Sequence, residues 1–117
     1  MVYTAQSQAL AVLEMLVHID ASDLLRHYRL ISVSIDKAMV QVVDPASLPQ
    51  NWRRRPAPAW LRSIGDRWVA SDESAVLQIP SVVVPGERNF LVNILHPDFR
   101  RLTIDRPVPF RLDPRLK

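Results

Sequence analysis

The first part of the chain has a hydrophobic pattern that predicts one strand followed by helices. Val2–Ala5 is rich in β-forming residues and predicts a short strand. Ser7 is a suitable N-cap for a helix over Gln8–His18, a segment without glycine or proline. Apolar side chains fall almost all round the axis of that helix, which is typical of a buried helix. A second short helix is predicted over Asp20–Arg26.

Alternating hydrophobic and polar positions replace the helical pattern from residue 27 onward. The segments His27–Asp36 and Met39–Val43 each predict a strand, and the short connection between them predicts a hairpin. Residues 44–49 are expected to form a loop or a single helical turn. A basic loop flanked by prolines is predicted over Asn51–Pro58.

Prolines divide the rest of the chain into short elements, since all ten follow Asp44. Apolar positions in Ala59–Val69 are spaced for one face of a helix. The later strands are predicted at Ala75–Ile79, Val82–Val84, Asn89–Ile94, Arg101–Ile104 and Pro109–Leu112. This irregular alternation, with most strands late, predicts an α+β fold with a mixed sheet and a few helices. A chain of 117 residues has the size of one domain, so we expect a single domain over residues 1–117.

Residue types that several enzyme classes require are missing or too few. The sequence has no cysteine, which excludes disulfides, thiolate catalysis and zinc bound by cysteine. Its two glycines, Gly65 and Gly86, are too few for a dinucleotide fingerprint and wrongly spaced for a phosphate loop. The three histidines match no metal-ligand spacing, so we predict no metal site.

Membrane and export signals are also missing from the sequence. No apolar run approaches 18 residues, and no basic stretch precedes the first apolar run. We therefore expect a cytoplasmic protein that does not bind a membrane.

Positive charge is concentrated in the second half of the chain. Residues 1–50 hold three basic and five acidic residues, a net charge of −2, whereas residues 51–117 hold twelve basic and seven acidic residues, a net charge of +5. Arg53, Arg54 and Arg55 lie near Trp52 and Trp60, a combination that could hold phosphate or stack on bases. A solvated loop is the interpretation we favour for this run, because the sequence shows no recognised nucleic-acid-binding fold.

Glu14 is the most informative residue for function, because it is the only charged residue among residues 1–19 and lies inside an apolar helix. Burying a carboxylate without a partner costs several kcal/mol, so such a residue usually has a partner or a chemical role. One alternative is a structural contact with His18, four residues later on the same helix face. Another is a glutamate that extends to solvent.

Tyr3 and Ser81 are further candidates. Tyr3 precedes the helix that carries Glu14, and its ring could form a platform at the mouth of a cleft, although an ordinary core tyrosine is the simpler interpretation. Ser81 follows Pro80 at a break between two strand-like segments. It could orient a substrate or be a simple turn residue, but the glycines of a nucleophile elbow are absent.

Sequence motifs spread over nearly the whole chain are distinctive in combination. They are Val2-Tyr3-Thr4-Ala5, Ala9-Leu10-Ala11, Leu13-Glu14, Leu16-Val17-His18, Pro56-Ala57-Pro58, Ile79-Pro80-Ser81-Val82-Val83-Val84-Pro85-Gly86-Glu87, Asn89-Phe90-Leu91-Val92-Asn93 and His96-Pro97-Asp98-Phe99. In these motifs the chain resembles the RES domain, the toxin family of Xre–RES toxin–antitoxin pairs.

This resemblance implies an ADP-ribosyltransferase-like fold, with NAD as the substrate and no metal. The family is named for an arginine, a glutamate and a serine, of which Glu14 matches the glutamate and Ser81 matches the serine. The family's arginine lies upstream of the strand that holds Tyr3. We therefore expect a shortened copy of the fold that lacks this arginine and the first strands, and Arg53–Arg55 do not match the arginine.

The resemblance also implies roles for the three candidates. Glu14 would stabilise the positive charge that develops as the nicotinamide–ribose bond breaks. Tyr3 would contact the nicotinamide ring, and Ser81 would form a hydrogen bond to the bound nucleotide.

The leading interpretation is a RES toxin that depletes NAD, acting as an NAD+ glycohydrolase or an ADP-ribosyltransferase-like enzyme. An Xre-type antitoxin would insert its C-terminal region at the active site. The alternative is an inactive RES remnant that binds an antitoxin or a second copy of itself as a homo-oligomer. A basic nucleic-acid-binding module ranks third, since contact with nucleic acid is expected only through the antitoxin.

Overall fold

The computed structural model describes residues 1–18, 27–53 and 59–116, without the side chains of His18 and Leu116. Its helices and strands are β1 (Val2–Ala5), α1 (Gln8–His18), β2 (Tyr28–Leu30), β3 (Val33–Ser34), β4 (Val40–Val42), α2 (Ala59–Ser71), β5 (Val76–Pro80), β6 (Arg88–Val92), β7 (Thr103–Ile104) and β8 (Val108–Phe110). Short 3₁₀ turns lie at Lys37–Met39, Pro45–Ser47, Pro97–Arg101 and Pro114–Leu116.

The main sheet has four strands in the order β1-β6-β5-β4. The strand β6 pairs antiparallel with both β1 and β5, whereas β4 pairs parallel with β5. Two smaller antiparallel pairs, β2 with β8 and β3 with β7, lie outside this sheet. The prediction of an α+β fold with a mixed sheet is confirmed.

Each face of the main sheet carries its own apolar cluster, because side chains alternate between the two faces along a strand. On one face Leu77, Ile79 and Leu91 pack around Trp68 of α2. On the other face Val76 and Val92 belong to a second cluster, which is completed by Met39, Ala75 and Leu102. The face that carries Leu77 and Ile79 is the one that α2 covers, and it also holds the candidate site.

The helix α1 has the predicted bounds, but the prediction that it is buried on all sides is wrong. Leu10 is fully buried, whereas 41% of Leu13 and 38% of Val17 is exposed. The described elements therefore cover only the side of α1 that carries Leu10. The helix predicted over Asp20–Arg26 lies outside the described residues.

The predicted hairpin between His27–Asp36 and Met39–Val43 is wrong. The Asp36 carboxylate accepts a hydrogen bond from the Ala38 N–H at 3.0 Å and begins the 3₁₀ turn Lys37–Met39. Beyond this turn β4 pairs with β5, while β3 before it pairs with β7. The capped turn therefore connects strands of two different sheets.

The predicted strand over Val82–Val84 is also wrong, because the chain turns directly after β5. The Ser81 hydroxyl accepts hydrogen bonds from the N–H groups of Val83 and Val84, each at 3.1 Å. Gly86 has a φ of 84°, a left-handed conformation that glycine adopts without strain, and the chain then returns as β6. No helix in the described ranges is long and apolar enough to cross a bilayer.

Candidate functional site

The helix α1 holds Glu14 over the sheet because its first turn is fixed at two points. The Ser7 hydroxyl accepts a hydrogen bond from the Leu10 N–H at 3.1 Å, which caps the helix. Leu10 is fully buried and lies four residues before Glu14, so both side chains share one face of the helix. Packing Leu10 against the core therefore directs Glu14 inward, where it is half-buried.

Ser81 contacts Glu14 from the end of β5 and is buried, with only 1% of its surface exposed. Its N–H donates to the Glu87 carbonyl at 2.8 Å, and its Oγ lies 3.3 Å from Glu14 Oε1. A hydroxyl has one proton to donate and two acceptor positions. Since the N–H groups of Val83 and Val84 occupy both acceptor positions, the proton is left for Glu14. Ser81 therefore holds one oxygen of the carboxylate in a fixed place.

Tyr3 lies on β1 and faces the same side of the sheet as Ser81, because it pairs with Leu91 in the register. Although 45% of the residue is exposed, the pKa of Tyr3 is raised above its usual value. The main cause is the burial of the phenol away from water, and the second cause is the negative charge of Glu14. The phenol is therefore neutral at physiological pH and keeps its proton. The structure brings the three predicted candidates Tyr3, Glu14 and Ser81 together, whereas the side chain of His18 lies outside the described residues.

Asn89 is a polar residue of this region that the sequence analysis did not single out. It pairs with Ala5 and Ile79, so it lies on the same sheet face as Tyr3 and Ser81 and between them. It is fully buried, and its Nδ2 donates to the Thr4 carbonyl at 3.2 Å. Its Oδ1 is buried without a hydrogen-bond partner in the described part of the chain. A polar residue at an inward-facing strand position was the signal available in the sequence.

We expect replacement of Asn89 by leucine to change the free energy of unfolding by less than about 1 kcal/mol, because it removes the unpaired Oδ1 as well as the bond to Thr4. Asn89→Ala should lower this free energy by about 2 kcal/mol, because it also leaves a cavity. Urea unfolding of both variants measures the difference. A loss of about 2 kcal/mol or more for leucine as well would show that the bond to the Thr4 carbonyl outweighs the unpaired oxygen.

The basic loop approaches the site through Arg53. This side chain is exposed, with its guanidinium 5.7 Å from the Trp52 ring centroid, and its Nη2 donates to the Val82 carbonyl at 3.3 Å. Arg53 thus contacts the turn that follows Ser81 rather than the Glu14 carboxylate. Arg54 and Arg55 lie outside the described residues, so the solvated-loop interpretation of the run stays a prediction.

A half-buried carboxylate with one oxygen fixed by a hydrogen bond can stabilise positive charge that forms beside it. Within the described ranges, no three histidine, aspartate or glutamate side chains are grouped so that they could hold a metal ion.

Comparison with known proteins gives a consistent result. The chain matches the family described as the RES domain over residues 1–113. It is 41% identical to a protein named Toxin Res from Yersinia enterocolitica, over 99% of this chain and 77% of that protein. A protein named Prs ADP-ribosylating toxin from Sphingobium is 36% identical, over 98% of this chain and 73% of its own length. Another Toxin Res, from Photorhabdus laumondii, is 35% identical over 98% and 74% of the two chains.

Both the family match and these relatives span nearly all of the chain. They include the segments that carry Tyr3, Glu14 and Ser81, of which Glu14 and Ser81 are joined by a hydrogen bond and Tyr3 lies within range of the Glu14 charge. The chain therefore belongs to the RES domain family.

Proposed function

We propose that this protein is a toxin that breaks the nicotinamide–ribose bond of NAD. The observation that carries the proposal is the Glu14 carboxylate, held by the buried Ser81 hydroxyl at 3.3 Å and close to the neutral phenol of Tyr3. The Sphingobium relative supports it, because its name states that it is an ADP-ribosylating toxin, and ADP-ribosylation uses NAD as the donor.

The chemistry of this bond suits a fixed carboxylate. When the bond between the nicotinamide nitrogen and ribose C1′ breaks, the electron pair leaves with nicotinamide, which departs as a neutral molecule. Positive charge then develops on the ribose, as it does in glycoside hydrolysis. Glu14 lowers the energy of this state because its negative charge is already in place and does not have to reorient.

A nucleophile completes the reaction at C1′. Attack by water forms the new C–O bond and, after loss of a proton, yields free ADP-ribose. Attack by a nucleophilic side chain of a target protein yields an ADP-ribosylated protein instead. The roles of the chain's own residues are the same in both cases, because bond cleavage precedes the choice of nucleophile.

Tyr3 and Ser81 have different tasks in this proposal. Tyr3 presents a partly exposed ring against which nicotinamide can pack, and its protonated hydroxyl can donate a hydrogen bond. Ser81 is too buried to be the main contact of a ligand, and its hydroxyl is already shared between Glu14 and two N–H groups. It acts as a positioning residue for the carboxylate.

An antitoxin protein is the partner that this proposal implies. Two of the relatives are named Toxin Res, and a toxin of this kind requires an inhibitor in the cell that produces it. We propose an Xre-type antitoxin that covers the site around Tyr3 and Glu14. Competition between this antitoxin and NAD in a binding assay would test the location.

Incubation of the purified protein with NAD tests the proposed reaction directly. We expect nicotinamide to be released in proportion to NAD consumed, with free ADP-ribose as the product in buffer, both measured by liquid chromatography. Label transfer from NAD to protein in a cell extract would assign protein ADP-ribosylation. Binding of NAD without any release of nicotinamide, in buffer and in extract, would instead identify the inactive RES remnant.

A further inference from the structure

Trp52, at the start of the basic loop, is fastened to α2 through Trp60. The Trp52 carbonyl accepts a hydrogen bond from the Trp60 Nε1–H at 2.9 Å. The two rings also meet edge to face, with centroids 6.1 Å apart and an angle of 80° between their planes, which is an arrangement that aromatic pairs prefer. Trp60 is the second residue of α2, so the backbone at Trp52 is tied to a helix that packs on the core.

Arg53 extends from this fixed point to the turn that follows β5. Its guanidinium lies 5.7 Å from the Trp52 ring centroid, within the range of a cation–π interaction. Its Nη2 donates to the Val82 carbonyl at 3.3 Å. A free arginine side chain on the surface samples many rotamers. These two contacts restrict that freedom and hold the guanidinium at the turn.

The Val82 carbonyl and the Val83 N–H are the two ends of one planar peptide unit. Arg53 binds the carbonyl end, and the Ser81 hydroxyl binds the N–H end at 3.1 Å. A charged donor at the carbonyl fixes the plane and polarises it, which strengthens the bond that the N–H donates. This N–H is one of the two that fill the acceptor positions of the hydroxyl and leave its proton for Glu14.

We propose that Arg53 is a positioning residue for the Glu14 carboxylate, which it reaches through the turn that holds the Ser81 hydroxyl. The inference rests on the proposed function, because it takes Glu14 to be the charge that acts on the ribose. It gives the first arginine of the basic run a task beyond contact with solvent. The order of contacts is the guanidinium, the peptide plane, the hydroxyl and then the carboxylate.

Amide hydrogen exchange, followed by NMR, tests the first contacts in this order without any NAD. In Arg53→Gln the Val83 N–H should exchange with solvent roughly three- to tenfold faster, because glutamine is shorter and uncharged and the turn opens more easily. The Asn93 N–H is the internal control, since it donates to the Ala75 carbonyl at 2.8 Å beyond the other end of β6. Its exchange should be unchanged, which excludes a global loss of stability.

Nicotinamide release tests the connection to Glu14. Arg53→Gln should lower kcat roughly three- to tenfold, because the carboxylate is held less firmly, and leave KM and the affinity for ADP-ribose within about twofold. In the Ser81→Ala background the same substitution should cause little further loss of kcat, since the path to the carboxylate is already broken there.

Arg67→Gln is the matched control, because Arg67 is also an exposed arginine but lies on α2. It should leave the exchange of the Val83 N–H, kcat and KM unchanged. Both arginines are surface residues, so equal melting temperatures confirm that the two variants are folded.

The outcomes separate this proposal from the proposed function. Unchanged exchange at Val83, or faster exchange with unchanged kcat, overturns Arg53 as a positioning residue. A higher KM with kcat preserved assigns Arg53 to substrate binding, and a full loss of kcat in the Ser81→Ala background removes Ser81 from the path; each overturns the proposal. Faster exchange in a protein that never releases nicotinamide supports the contact of Arg53 with the turn and overturns the proposed cleavage.

Discussion

Replacing Glu14 by glutamine should lower the rate of nicotinamide release from NAD at least about 100-fold while leaving the protein folded. Glutamine has the same shape as glutamate, and its Oε1 can still accept the hydrogen bond from the Ser81 hydroxyl, so the side chain keeps its place. It lacks the negative charge that stabilises the developing positive charge on the ribose. The change therefore acts on the transition state more than on substrate binding.

The measurement combines three readouts on the purified variant and in cells. Nicotinamide release gives the rate, calorimetry with ADP-ribose shows that the ligand still binds, and the NAD content of cells expressing the variant should stay normal. Glu73→Gln is the control, because Glu73 is an exposed glutamate of the loop between α2 and β5. Release of nicotinamide by Glu14→Gln within about threefold of the unchanged protein would refute the role of this carboxylate, since removing one preorganised electrostatic contact to a transition state typically costs about 100-fold or more.

Glu14 could be found from the sequence because the signal is local. A single charge inside an otherwise apolar helix is visible without knowledge of the fold, and so are the cap at Ser7 and the absence of helix breakers up to His18. The bounds of α1 were predicted for the same reason. Its exposure was not, because Leu13 and Val17 are left uncovered by elements far away in sequence.

The contact between Glu14 and Ser81 joins residues 67 positions apart, so no local pattern shows it. The pattern placed Ser81 at a break between two strand-like segments, and it predicted a second strand over Val82–Val84. Valines favour strands on average, yet here the Ser81 hydroxyl binds two of their N–H groups and the turn prevails.

The sequence pattern also could not predict which strands pair with each other. An alternating pattern identifies strands, but it does not say which strands are neighbours, so two adjacent segments were assigned to a hairpin. The observed pairings of β3 with β7 and of β4 with β5 span much longer stretches of chain. They follow from which apolar faces can be buried together, a property of the whole fold.

Asn89 could have been found from the sequence but was not. In β6 the residues at positions 89 and 91 face α2 and the residue at position 90 faces the other cluster, so a polar side chain at 89 interrupts an apolar face. Its partner on β1, the Thr4 carbonyl, depends on the fold and is visible only in the structure.

Replacing Ser81 by alanine should lower kcat for NAD cleavage by roughly 10- to 100-fold and change KM by less than about threefold. Ser81 is 1% exposed and its hydroxyl donates to Glu14, so loss of the hydroxyl frees the carboxylate to move, and a misplacement of about 1 Å is enough for this effect. The same change leaves the N–H groups of Val83 and Val84 without their acceptor. We expect the free energy of unfolding to fall by about 1–3 kcal/mol.

Two comparisons separate positioning from simple loss of stability. Ser47→Ala is the matched control, because Ser47 is an exposed serine whose hydroxyl donates to the Asp44 carbonyl at 2.7 Å, and it should leave kcat unchanged. Adding Ser81→Ala to Glu14→Gln should cause little further loss of rate, since a residue that acts through Glu14 has no effect once the carboxylate is gone.

The kinetic constants of Ser81→Ala also decide between two roles for this serine. If Ser81 holds Glu14, kcat falls and the affinity for ADP-ribose is unchanged. If the hydroxyl binds the nucleotide directly, as the family resemblance implies, KM rises, kcat is preserved, and the loss persists in the Glu14→Gln background as weaker ADP-ribose binding. A fully active variant that is only less stable would show that Ser81 serves the turn between β5 and β6 alone. Because both acceptor positions of the hydroxyl are filled in the structure, we expect the first result.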